Sequence, residues 1–221
     1  MSRTVAVFDW DGVVIDSSTA HERSWQALAR EENLPLPADH FKRGFGKRNE
    51  VIIPEILGWS KEPAEIRRLS EKKEAAYRTI ARSGHIRLLP GARELTQSLA
   101  ERGIPCVIGT STHKANLALA FEMFDLEHLF QGAIASEDVT RGKPDPEVFL
   151  KACALVGGDP SRSFVFEDSF SGLQAGLAGG FITIALATTH PREALEPQRA
   201  HRIVQDLSEV NPEWLVKGQI D

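Results

Sequence analysis

The chain has 221 residues, 42% of them hydrophobic and 26% charged, with 26 Lys+Arg against 31 Asp+Glu for a formal charge of −5. This is globular composition and excludes a disordered or fibrous chain, and the acidic balance argues against a general nucleic-acid binder, whose affinity rests on neutralising phosphates. Cys106 and Cys153 are isolated and form no CxxC pair, and no apolar run approaches the ~18 residues of a membrane span or the core of a signal peptide. The expectation is a cytoplasmic protein, monomer or weak dimer, with reduced thiols and neither nucleic acid nor membrane as a partner.

The first apolar run, residues 4–8 (TVAVF), barely alternates, as expected of a parallel strand buried on both faces. It ends in Phe8-Asp9-Trp10-Asp11-Gly12. In a doubly wound sheet ligands sit beyond the carboxyl ends of strands. Two carboxylates placed there repel and raise each other's pKa unless a cation joins them. They also supply the nucleophile and proton donor that phosphoryl transfer needs. An acidic turn is the plain alternative. An EF-hand calcium loop fails on register, with Val14 at its sixth position and Ala20 at its twelfth.

Residues 17–85 interrupt the strand rhythm with charge-laced helical text, AHERSWQALAREEN, KRNEVIIPEILG and EIRRLSEKKEAAYRTIAR. They hold 13 Lys+Arg and 10 Asp+Glu, whereas the remainder holds 13 and 21. Solvated helix faces account for most of these charges, and the surplus sign marks a helical insertion slightly basic against an acidic core. The predicted organisation is residues 1–16 plus 86–221 as a Rossmann-like catalytic core, with 17–85 as an inserted helical cap.

From about residue 88 helical and strand patterns follow one another: helical 91–102, strand 104–109, strand 132–135, helical 146–156, strand 163–166, helical 169–178 and strand 181–186. Glycines or prolines punctuate the helices. This pattern is α/β, a doubly wound parallel sheet. The strand 104–109 ends in Gly109-Thr110-Ser111-Thr112, where hydroxyls and backbone amides entering a helix suit a phosphate. The run lacks the second glycine of a serine nucleophile elbow. Lys143 follows in Arg141-Gly142-Lys143-Pro144-Asp145-Pro146, an ammonium held between Gly and Pro before a helix. The strand 163–166 ends in Glu167-Asp168-Ser169, a second acidic pair whose oxygens suit Mg²⁺.

Asp9-x-Asp11-Gly, Thr110, Lys143-Pro-Asp-Pro and Glu167-Asp168-Ser, in this order over residues 4–190, resemble the four motifs of the haloacid dehalogenase superfamily. The insertion resembles its helical-cap branch, which includes β-phosphoglucomutase and sugar-phosphate and phosphoglycolate phosphatases. The resemblance implies Asp9 as a nucleophile that becomes an aspartyl phosphate, and Asp11 as the acid and base. It implies Thr110, Ser111 and Lys143 as phosphate contacts. It implies Mg²⁺ held by Asp9, the Asp11 backbone carbonyl, Asp168 and Glu167. Dehalogenases that attack carbon lack the second aspartate, so Asp11 points to phosphorus chemistry.

In this branch the cap sets specificity, and the candidate substrate residues are Ser17, His21, Lys47, Arg48, Asn49 and Lys73. Trp25, one turn after His21, reads more simply as core. A basic cap closing over an anionic ligand excludes water. The resulting expectation is an Mg²⁺-dependent phosphatase of a small phosphorylated metabolite, a sugar or polyol phosphate. A hexose-phosphate mutase of the β-phosphoglucomutase type is the alternative, and a receiver-like signalling protein a remote one. The Ser17, His21, Trp25 and Lys73 spacing resembles the mutase, but its distal phosphate-binding arginine falls in register with Asn49, one residue after Arg48.

Overall fold

The non-alternating Val- and Ile-rich runs become the strands of a parallel sheet in a computed structural model that describes residues 3–220. The chain divides into two units, Met1–Ile15 with Leu88–Asp221, and Asp16–Arg87. Among the described residues the first is built on a six-stranded sheet of β1 (Ala6–Phe8), β2 (Cys106–Gly109), β3 (Ala133–Ile134), β4 (Phe164–Glu167), β5 (Ile182–Leu186) and β6 (Arg202–Val204). Their spatial order is β3-β2-β1-β4-β5-β6, every neighbouring pair parallel. The order reverses between β1 and β4, so a crevice for a ligand is expected beyond the carboxyl ends of those two strands.

Register explains why the runs do not alternate. Val7 lies opposite Val107 and Val165, and this row packs with Phe149, Ala152 and Phe181 on one face of the sheet. Phe8 lies opposite Ile108 and Phe166 on the other face. There it stacks on Phe166 with ring centroids 4.7 Å apart and meets Phe130 edge-on at 5.9 Å. Both faces are dry, so both carry apolar side chains. Cys106 and Cys153 are free and buried in this core.

The helices Ala92–Glu101, Glu147–Leu155 and Phe170–Ala178 fall inside the segments expected from the sequence. The helix expected to follow the strand 104–109 is present as Lys114–Phe124, and the tail holds an edge strand that the sequence did not signal. The edge strand β6 lies in a tail that reads as uninformative, because Arg202 is exposed and only Val204 is buried. Edge strands carry such charge to discourage further pairing, at the cost of an apolar signature.

In the second unit the helices Ser18–Glu31 and Pro63–Ile80 pack around Trp25, Leu28, Ile52, Ile53, Leu57 and Leu69. Trp25 is core, as the plainer reading has it. The segment 47–58, expected as one helix, opens with the turn Asn49–Val51 and widens to π-type turns over Ile52–Leu57. Pro54 within it has no N–H to donate and its ring crowds the preceding turn, which favours the wider winding. Arg68 pairs with Glu32 at 2.6 Å and Glu65 at 2.7 Å, and Lys72 with Glu31 at 2.8 Å. These exposed pairs absorb much of the charge on the helix faces and contribute little stability.

Phe8→Ala removes a ring that is 0% exposed and packed between two other rings. It is expected to destabilise the protein by about 3–5 kcal/mol in urea denaturation, and a loss below ~1 kcal/mol would contradict the packing described.

Candidate active site

Asp9 continues the sheet one residue past β1, its N–H donating to the Phe166 carbonyl at 3.0 Å. The chain then tightens. The Trp10 carbonyl accepts from Val14 N at 2.9 Å and Ile15 N at 3.1 Å, and Gly12 N donates to Ile15 O at 2.8 Å. Gly12 has φ +81°, and a Cβ there would overlap Asp168 Oδ2. The glycine of the DxDG motif therefore brings the turn against the second acidic pair. Asp9 is buried, whereas Asp11 is half-buried.

At the end of β4, Glu167 and Asp168 are both 0% exposed. Ser169 caps the next helix, its Oγ accepting from Gly172 N at 3.1 Å, while its own N–H donates to Glu167 Oε2 at 2.5 Å. A Cβ on Gly172 would overlap the Glu167 carboxylate. Glycine inside a helix ordinarily weakens it, and here it makes room for a buried acid.

Lys143 enters from the loop before Glu147–Leu155. The Glu147 carboxylate fixes that loop by accepting from Thr140 Oγ1 at 2.9 Å and Arg141 N at 2.9 Å. The Lys143 side chain is 1% exposed, and its Nζ lies 2.9 Å from Asp9 Oδ1, 2.7 Å from Glu167 Oε1 and 4.7 Å from the Phe149 ring centroid. Thr110 follows β2, next to β1 in the sheet. It is buried, with its N–H on Ile134 O at 2.9 Å and its Oγ1 accepting from Thr112 N at 3.1 Å. Ser111 is half-buried beside it.

Carboxylate oxygens of Asp9, Glu167 and Asp168 all lie within 4.8 Å of one another. Three acids thus share one ammonium. Burial pushes the Asp9 carboxyl up to about 7 against the pull of Lys143. Burial, with the charges of Glu167 and Asp9, raises Asp168 well above the ordinary carboxylate range. Burial alone would lower Lys143, yet Asp9 and Glu167 hold it above the ordinary lysine value. Asp168 Oδ1 is buried with no hydrogen-bond partner among the described residues. An unpartnered buried oxygen in an over-acidic, all-oxygen cluster fits a hard divalent cation such as Mg²⁺. Asp9, Asp168 and Glu167 are the residues that can hold it.

The cap candidates divide. His21 and Lys73 meet, with Lys73 Nζ 2.8 Å from His21 Nδ1 and 2.8 Å from Glu74 Oε1. His21 stacks on Tyr77 at 4.2 Å. Asn49 joins through Glu74, its Nδ2 donating to Glu74 Oε1 and to Ser70 Oγ, each at 2.8 Å. Lys73 and Asn49 are 2% and 5% exposed, so their polar groups serve this internal network. Ser17 is buried ahead of the first cap helix. Lys47 and Arg48 are half-buried, with Arg48 Nε 3.3 Å from Glu50 Oε2.

Sequence reasoning missed Glu74, hidden in the charged run KKEAAY. It also missed Thr188 and Thr189. Thr188 Oγ1 donates to Gly12 O at 2.5 Å, and Thr189 Oγ1 donates to Asp168 Oδ2.

Comparison with known proteins agrees with this fold. The family model of haloacid dehalogenase-like hydrolases matches residues 4–180. The chloroplastic 5-amino-6-(5-phospho-D-ribitylamino)uracil phosphatase of Arabidopsis thaliana is 35% identical over 93% of this chain, which spans 55% of that relative's length. The validoxylamine A 7'-phosphate phosphatase of Streptomyces hygroscopicus subsp. limoneus is 31% identical over 93% of this chain and 95% of its own. A solved HAD hydrolase of family IA, variant 3, from Entamoeba histolytica superposes with a TM-score of 0.87 at 29% identity, covering 97% of this chain and 98% of that one. Fold and site together define an enzyme of the hydrolase class, built on a doubly wound sheet with its acids at the switch point. The chain belongs to the haloacid dehalogenase-like hydrolases.

The acid cluster predicts a pH dependence. With Asp9 at about 7 in the folded state against an ordinary 3.8, the folded protein binds more protons than the unfolded chain between those values. The stability of the metal-free protein therefore falls as pH rises through that window. Urea midpoints in EDTA are expected to drop from pH 5 to pH 8, and added Mg²⁺ to raise the midpoint more at pH 8 than at pH 5. A midpoint independent of both would contradict the charge imbalance.

Proposed function

We propose that the protein is an Mg²⁺-dependent phosphatase of a small phosphorylated metabolite, a sugar or polyol phosphate, acting through an aspartyl phosphate on Asp9. One observation carries the reading: Asp9 is buried at the switch point against the Lys143 ammonium and the Glu167-Asp168 pair, two residues before the half-buried Asp11. Two relatives about a third identical to this chain over the matched stretch are named as phosphatases of small phosphorylated compounds.

In this reading the Asp9 carboxylate attacks phosphorus and the P–O ester bond breaks, its electrons passing to the leaving oxygen. Asp11 protonates that oxygen, then takes a proton from the water that attacks the aspartyl phosphate, which releases phosphate and restores Asp9. Lys143, already seated on Asp9, and Thr110 with Ser111 receive the transferring phosphoryl oxygens. Bound through Asp9, Asp168, Glu167 and the Asp11 carbonyl, Mg²⁺ supplies the positive charge that lets a carboxylate approach a phosphate dianion.

The test is a panel of phosphomonoesters with Mg²⁺, including β-glucose 1-phosphate with a bisphosphate activator. Steady phosphate release is expected, reduced by about 10³-fold or more in Asp9→Asn and by about 10²–10⁴-fold in Asp11→Asn. Glucose 6-phosphate appearing faster than free phosphate would overturn hydrolysis in favour of the mutase. A stable aspartyl phosphate without turnover would favour a receiver.

A further inference from the structure

We propose that Thr189 is a positioning residue for cation binding, fixing the Asp168 carboxylate from a loop that Thr188 anchors to the DxDG turn; the proposal rests on the Mg²⁺ reading of the acid cluster. The two threonines lie just past β5, the strand beside β4, in a segment whose sequence carries no motif. Thr189 Oγ1 donates to Asp168 Oδ2, and Thr188 Oγ1 donates to the Gly12 carbonyl at 2.5 Å.

A carboxylate turns about its last side-chain bond and offers two equivalent oxygens. A donor bound to one of them fixes the plane of the group and decides which oxygen remains. Here Oδ2 is occupied and Oδ1 is left buried with no hydrogen-bond partner among the described residues. The donor is a neutral hydroxyl, so it orients Asp168 without neutralising it, whereas Asp9 and Glu167 are already engaged by the Lys143 ammonium. Gly12 closes the other side. A Cβ there would run into Asp168 Oδ2 and stand 3.0 Å from Thr189 Oγ1. Residues from the ends of three strands, Gly12 after β1, Asp168 after β4 and Thr189 after β5, therefore meet at one oxygen. Loss of a partner that orients a metal ligand in this way typically costs about 10–100-fold in metal affinity.

A merely loop-anchoring threonine would affect stability and leave Mg²⁺ affinity unchanged, so the readout is Mg²⁺ binding to the substrate-free protein by calorimetry, alongside urea midpoints in EDTA. Thr189→Val, which keeps shape and loses the hydroxyl, is expected to weaken Mg²⁺ binding by about tenfold or more. Thr189→Ser, which keeps the hydroxyl, is expected to bind as the wild type does. If Thr189→Val does not fold, Thr189→Ala carries the same comparison. Equal Mg²⁺ affinity in the wild type and the hydroxyl-less variant overturns the positioning role alone. A wild type that binds no Mg²⁺ overturns this proposal together with the metal-dependent function.

Discussion

Three buried carboxylates gather around one buried ammonium where the strand order of the parallel sheet reverses, and the surrounding residues are arranged around that imbalance. Asp9, Glu167 and Asp168 converge within 4.8 Å, and Lys143 reaches two of them. Buried like charges are costly unless paired, protonated or bound to a cation. Burial raises the Asp9 and Asp168 carboxyls, and the neighbouring acids add to that rise. A site that resists its own charge has a strong affinity for added positive charge, which is what a phosphate dianion requires before a carboxylate can approach it.

The fold holds this arrangement with apolar packing beneath and glycines beside it. Val7, Val107 and Val165 on one face of the sheet, and Phe8 with Phe166 on the other, fix the ends of β1, β2 and β4 in register. Gly12 and Gly172 each stand where a Cβ would occupy the space of a carboxylate, Asp168 in one case and Glu167 in the other. Their absent side chains are therefore part of the site, and so are the hydroxyl of Thr189 on Asp168 and the Ser169 backbone N–H on Glu167.

What the sequence disclosed follows from the same physics. Strands buried on both faces leave unbroken apolar runs, so β1, β2, β4 and β5 were readable, and polar residues at their ends stood out as Asp9, Asp11, Thr110, Glu167 and Asp168. Lys143 was readable between Gly142 and Pro144. The edge strand β6 was not, because an edge tolerates Arg202 and needs little apolar surface. Thr188 and Thr189 gave no signal, since hydroxyl residues after a strand are common and their meaning lies in partners over 20 and 170 positions away. In the cap, the basic surplus looked available for an anion. The structure commits part of it internally, Arg68 and Lys72 to surface acids and Lys73 to Glu74. Glu74, which ties Lys73 to Asn49, was masked by its position in a run of solvated charges.

The most direct test of the charge imbalance is calorimetric titration of the wild-type protein with Mg²⁺ at pH 7, in buffers of different ionisation heat. One Mg²⁺ bound per chain with net release of protons, and loss of that binding in Asp168→Asn, is the expected result. Absence of Mg²⁺ binding, or binding that neither releases protons nor depends on Asp168, would contradict it.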